Sequence, residues 1–174
     1  FDEALAWDLD FLSFTSTELM QLAACIFQHS GVLAEFDIPA SVLACFLAEC
    51  CSRYNPNPYH NFNHGVHVMH GAYLHVLAGT GEHARMLSPL EVLALLTAAI
   101  GHDVEHPGVT NAFLSQTHAP LAVLYNDRSV LENHHAATTF HILSKPNSQL
   151  LGTLSEAQYR ECRELMVATI LATD

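Results

Sequence analysis

The chain is 174 residues long, the size of one globular domain; half of it is apolar and only 14% is charged, which supports a sizeable core and excludes a disordered tail. Eighteen acidic residues stand against six basic ones, a formal net charge of −12 with histidine neutral, and this excludes the basic stripe of a nucleic-acid-binding surface. An anionic ligand would have to be attracted by something other than side-chain cations.

Helical punctuation runs through nearly the whole chain. Ser16 or Thr17 is placed to cap a first helix that reaches Gln28, with Gly31 just past its end. Pro39 suits the first turn of a second helix, in which Leu43, Phe46, Leu47 and Cys50 repeat at three- and four-residue spacing. Asn55-Pro56-Asn57-Pro58 forces an extended break. A third helix is expected from about Asn63 to Ala78, ended by Gly79 and Gly81. Three further starts have the capping-box form: Ser88-Pro89-Leu90-Glu91, Ser129-Val130-Leu131-Glu132 and Ser155-Glu156-Ala157-Gln158. Shorter helices are expected around Thr110–Gln116 and Pro120–Tyr125. No stretch alternates apolar and polar residues between hairpin turns, so the expected fold class is all-α, one compact multi-helix unit.

The five cysteines include no CxxC pair, and Cys50 and Cys51 are adjacent, a poor disulfide geometry. They read as free thiols, mostly buried, in a reducing cytoplasmic compartment. No basic-then-apolar leader opens the chain and no apolar run reaches the roughly 18 residues of a membrane span. The start at Phe1 and the stop at Asp174 inside a helical pattern are those expected of a piece of a longer protein.

Chemistry concentrates in two clusters. Tyr59-His60-Asn61-Phe62-Asn63-His64 lies at the break before the third helix, and His102-Asp103-Val104-Glu105-His106-Pro107-Gly108 follows the apolar run Val92–Ile100. A buried apolar helix that ends in His-Asp carries that polar pair to the edge of a core, where a metal is a good partner for a neutral imidazole beside a carboxylate. If the turns are helical, His60 and His64 share a face, as do His102 and His106. His102 and Asp103 are neighbours and can meet at one metal only where the backbone leaves a straight helix, which Pro107 and Gly108 favour. Thirteen histidines also produce such spacings by chance, and most of His67, His70 and His75 are expected not to be ligands.

These residues resemble a known family. Tyr59-His60-Asn61-x-x-His64, then His102-Asp103-x-x-His106-Pro107-Gly108-x-x-Asn111, then Tyr125-Asn126-Asp127-x-Ser129-Val130-Leu131-Glu132-Asn133-His134-His135, and the closing Leu171-Ala172-Thr173-Asp174 are similar to the catalytic domain of class I 3′,5′-cyclic-nucleotide phosphodiesterases. The resemblance implies residues 1–174 as a single partial catalytic domain, of the HD-type phosphohydrolase fold, that continues beyond residue 174. It implies that His64, His102 and Asp103 ligate a metal, usually zinc, and that Asp103 bridges to a second, usually magnesium or manganese. It further implies His60 as general acid, Tyr59 beside the nucleotide, His106, Glu132 and Thr173 holding waters, and Asn111 and His135 supporting the pocket. The implied substrate is a cyclic nucleotide, cAMP or cGMP, in signal transduction, with regulatory domains or a homodimer compatible with the family.

Such roles are chemically coherent. Two divalent ions would neutralise an anionic phosphodiester and activate water, and a proton donor near neutral pH would serve the leaving O3′. Glu132 also fits the N3 place of its capping box, and one side chain cannot easily hold both roles. His134 and His135 are adjacent on a helix, so only one can face a given site and the other is expected to be solvated. The chain departs from the family pattern at His67 and His70, where many members have Asp and Gln. The family's later aspartate ligand and its purine-gripping glutamine and aromatic residue are absent from these 174 residues, so the isolated chain is expected to be inactive or nearly so. The alternatives are another HD-type metal phosphohydrolase of nucleotides and a non-catalytic helical domain that binds metal or nucleotide.

Overall fold

The computed structural model describes residues 6–76 and 87–174. Among them, nine α-helices follow a short 3-10 turn at Phe11–Ser13, and there is no strand. The helices are α1 (Ser16–His29), α2 (Val32–Glu35), α3 (Ala40–Arg53), α4 (Phe62–Val76), α5 (Pro89–Gly101), α6 (Asn111–Gln116), α7 (Pro120–Leu124), α8 (Val130–Leu143) and α9 (Glu156–Leu171). The all-α expectation holds. Ala78, Gly79 and Gly81, expected to close the third helix, lie outside the described residues.

Most boundaries follow local chemistry, with small corrections. The first helix is capped by Thr15 rather than Ser16 or Thr17, because Thr15 has the extended backbone a cap needs and exchanges bonds with Glu18. Pro39 is itself the residue before α3 rather than part of its first turn. Capping boxes form at Ser88 with Glu91 and at Ser155 with Gln158. The third does not: Ser129 is left-handed, with φ 39° and ψ 53°, and its side chain caps nothing. Only Cys50 and Cys162 of the five free cysteines are buried, the others lying half-exposed, so the thiols are less buried than expected.

The centre of the molecule is α5. Leu93, Leu96, Ala98 and Ile100 are fully buried, and the helix is wrapped by α2, α4, α8 and α9, as a helix apolar on all sides must be. Each such aliphatic side chain contributes about 1.5–3 kcal/mol on burial, so this helix anchors the fold. Two glycines let its neighbours come close. A Cβ at Gly101 would lie 2.4 Å from the Thr139 hydroxyl of α8, and one at Gly65 of α4 would lie 2.5 Å from the Tyr54 hydroxyl. Tyr54, just past α3, donates to the Ile100 carbonyl at 3.1 Å, and Thr139 donates to the Gly101 carbonyl at 3.1 Å. The end of α5 is therefore fixed from two sides, against the start of α4. A smaller cluster of Leu114, Ala122, Val130 and Leu131 joins α6 and α7 to the start of α8.

Candidate metal centre

Immediately after α5 the backbone leaves the helix: His102 is still right-handed, Val104 N–H donates back to Gly101 and His106 N–H to Asp103, and Glu105 is left-handed with φ 63°. This turn swings His102 and Asp103 to the same side, which a straight helix would forbid. His60 lies ahead of α4 rather than in its first turn, so its proximity to His64 comes from the bend and not from helical spacing. Asn61 fixes the start of α4 by accepting from the His64 backbone N–H at 3.1 Å.

One Asp103 oxygen, Oδ2, lies 3.2 Å from Nε2 of His64 and 3.2 Å from Nε2 of His102. The other, Oδ1, lies 3.6 Å from Nε2 of His135. Donor atoms of His64, His102 and Asp103 all fall within 4.8 Å of one another, and so do those of Asp103, His106 and His135. Burial would raise the Asp103 pKa, but bonds from His102 and His64 and the charges of His102 and His135 outweigh it, leaving the carboxyl ionised far below the usual range. Burial would lower His102, and its bond to Asp103, the Asp103 charge and the Ala99 carbonyl more than reverse that.

Hydrogen bonds on the far nitrogens assign the protons. Nδ1 of His102 faces the Ala99 carbonyl at 2.8 Å, and Nδ1 of His135 faces the Val104 carbonyl at 2.8 Å, so both carry a proton there and turn their other nitrogen, Nε2, to Asp103. His135 is pushed down to about 4, first by burial, so it is neutral at pH 7. Its Nε2 is buried with no hydrogen-bond partner. A bare nitrogen aimed at a carboxylate oxygen is repulsive unless a cation comes between them, and the donor set of imidazole nitrogens and one carboxylate fits a divalent metal. His106 differs. Its Nδ1 accepts from the Gly108 N–H at 2.9 Å, so the neutral ring carries its proton on Nε2, a group that donates rather than ligates. Burial first and the neighbouring His60 second lower its pKa and keep it neutral.

The remaining residues sort by where their side chains go. His60 stacks on His106, with centroids 3.9 Å apart and planes at 9°, and meets His64 edge-on at 5.7 Å. Tyr59 is 64% exposed and packs beside both His60 and His64 at the opening. Glu132 is buried and accepts from Asn111 Nδ2 at 2.9 Å; Asn111 in turn accepts from the Leu131 N–H and reaches Asp174. Thr173, two residues past the end of α9, donates to the Ile170 carbonyl in its last turn, and no bond joins it to the Asp103 cluster. His134 is not solvated as expected but half-buried, 2.9 Å from Glu105. His67 and His70 pack on Phe11, and His75 on Trp7 and the Gly71 carbonyl, away from the cluster.

Two site-building residues have no obvious mark in the sequence. Asn57 Nδ2 bonds the carbonyls of both His60 and His106, and Asn55 Nδ2 also bonds His106, so the asparagines of the proline-rich break staple the two histidine clusters together. The signal was an amide alternating with proline, which reads as a bare turn until its partner is known.

The family model for 3′5′-cyclic nucleotide phosphodiesterase matches residues 59–174, a span that opens on Tyr59 and contains every residue of the cluster. The chain belongs to this family. A mouse 3′,5′-cyclic-AMP phosphodiesterase 4C is 41% identical over 150 residues, which cover 86% of this chain and 22% of the relative. The 3′,5′-cyclic-nucleotide phosphodiesterase regA of Dictyostelium discoideum is 37% identical over 169 residues, 97% of this chain and 21% of the relative. Among solved structures, the phosphodiesterase domain of the RhoPDE fusion protein from the choanoflagellate Salpingoeca rosetta superposes with a TM-score of 0.93 at 36% identity, over 98% of this chain and 53% of that one. The chain thus spans about a fifth of these two curated phosphodiesterases and about half of the solved domain. No described helix is long and apolar enough to cross a membrane.

Proposed function

We propose that the protein carrying this chain is a metal-dependent phosphodiesterase that hydrolyses a 3′,5′-cyclic nucleotide, cAMP or cGMP, to the 5′-monophosphate in signal transduction. Residues 1–174 form the metal-binding portion of its catalytic domain. The observation that carries the reading is the convergence of three imidazole nitrogens, of His64, His102 and His135, on the two oxygens of one buried aspartate; family membership supplies the substrate class.

His64, His102 and Asp103 would hold one ion, with zinc the best match to two imidazoles and a carboxylate. Asp103 Oδ1, on the His135 side, would serve a second, oxygen-preferring ion, magnesium or manganese. When bound, the two ions offset the negative charge of chain and substrate and make a water acidic enough to attack at neutral pH. His60, at the mouth of the cluster and held parallel to His106, protonates O3′ as the P–O3′ bond breaks. Tyr59 lies beside the nucleotide. His106, through its Nε2–H, and Glu132, with Asn111, would hold water, as would Thr173 through the lone pairs that its bond to the Ile170 carbonyl leaves free, and His135 supports the pocket from behind Asp103. Five free cysteines fit a cytoplasmic setting, and the length of the relatives beyond the matched span leaves room for regulatory domains or a dimer contact.

The test is turnover of cAMP, cGMP and a linear phosphodiester by the full-length protein, with bound metal measured beside it. Asp103→Asn is expected to lower turnover by about a thousandfold or more, since loss of metal charge removes several kcal/mol of transition-state stabilisation. His60→Asn is expected to lower kcat by roughly 10²–10⁴ while metal content stays that of the parent. Preference for the linear diester, or full activity in His60→Asn, overturns the reading.

A further inference from the structure

The turn that presents the Asp103 cluster has a second face. Val104 is fully buried, and Glu105 sends its side chain away from the cluster into a polar cavity of about 540 Å³ bordered by Arg53, Asn55 and His134. There its two carboxylate oxygens meet three donors from two helices. Oε1 pairs with Arg53 Nη1 at 2.5 Å, and Oε2 lies 2.9 Å from His134 Nε2 and 3.2 Å from the Thr138 hydroxyl. The backbone N–H of the same residue donates to the Arg53 carbonyl at 3.0 Å.

Two neighbouring stripes of α8 thus hold this turn. His135 and Thr139 take the carbonyls of Val104 and Gly101, while His134 and Thr138 take the Glu105 carboxylate. The backbone at Glu105 is also informative. A left-handed φ of 63° costs a non-glycine residue of order 1–3 kcal/mol, a cost that glycine escapes. The three side-chain bonds of Glu105 are placed to offset that cost.

We propose that Glu105 is a positioning residue for the metal centre: its carboxylate bolts the turn to α3 and α8 so that Asp103 and His106, two residues before it and one after, are held facing the cluster. This rests on the metal reading given above. Residues that orient ligands from behind change metal affinity or activity by about 10- to 100-fold when removed. Glutamine has one acceptor oxygen where glutamate has two, so it cannot serve all three donors.

The experiment uses the full-length protein with Co²⁺ as the probe, reading its affinity, its visible absorption spectrum, and kcat and KM for cyclic nucleotide. Glu105→Gly is the decisive variant, because it removes the carboxylate and relieves the left-handed backbone, keeping the fold. We expect Co²⁺ affinity to fall about 10- to 100-fold with an altered spectrum, and kcat to fall at least about tenfold with KM within about threefold. Glu105→Gln is expected to fall between the parent and Glu105→Gly in Co²⁺ affinity. His64→Ala is the control for the metal reading. If His64→Ala abolishes Co²⁺ binding while Glu105→Gly binds within about twofold of the parent and with the same spectrum, the inference is overturned and the metal centre stands. If His64→Ala leaves Co²⁺ binding intact, the metal reading fails and takes the inference with it.

Discussion

The starts of α5 and α8 carry the same sequence pattern and fold differently. Ser88-x-x-Glu91 closes a capping box, with the Ser88 N–H 2.7 Å from Glu91 and the Glu91 N–H returning to the Ser88 hydroxyl. Ser129-x-x-Glu132 does not: Ser129 turns left-handed and donates to Asp174 at 2.7 Å, and Glu132 accepts from Asn111, twenty-one residues away. The difference is burial. Glu91 stands near the surface, where the nearest donors are its own helix terminus, whereas Glu132 is buried and is claimed by a tertiary donor, Asn111. A local motif decides the structure only where nothing stronger competes for its atoms.

That contrast can be broken experimentally. Glu132→Ala is expected to have the largest effect, lowering kcat by about 10- to 100-fold through loss of a group that holds the pocket; a Glu132→Ala enzyme with full kcat would return the residue to a capping role. Ser88→Ala is expected to cost about 1 kcal/mol of stability in chemical denaturation with activity unchanged. Ser129→Ala should cost less than that, because no cap is lost; equal costs at the two serines would erase the contrast. The smallest effect concerns pH. The Ser88 backbone N–H and hydroxyl hold the Glu91 pKa below its ordinary 4.5. Its contribution is therefore present in full above that value and fades as the pH falls through the lowered one. The melting temperature of Glu91→Gln should lie below the parent's at pH 6, and the gap should close as the pH falls through the lowered carboxyl pKa.

Much of the fold was legible because helices signal locally. The Leu43, Phe46, Leu47 and Cys50 stripe is the buried face of α3, and two of three capping boxes formed as written. The four-residue α2, packed on α5, was missed because one turn of Val-Leu-Ala-Glu has no room for periodicity. At the site, His64, His102 and Asp103 were legible as residue types at the right places, and the structure brings them together. Expecting His60 and His64 on a shared helical face was wrong in route though right in outcome. What lay beyond reach was the role of Asn55, Asn57 and Glu105, since each acts through a bond to a residue roughly 30 to 50 positions away. The tautomer of His106 was equally hidden, being set by the Gly108 amide.

Tyr54 gives the arrangement one more property. Its ring is buried against Phe62 and over Gly65 while its hydroxyl grips the Ile100 carbonyl, so it touches the first turn of one ligand-bearing helix and the last turn of the other. Neither end can loosen without breaking the same phenol contact. The gap between the rings at 64 and 102 is thereby insulated from breathing of the outer helices, and slow deuterium uptake at both ends should report a single shared opening event.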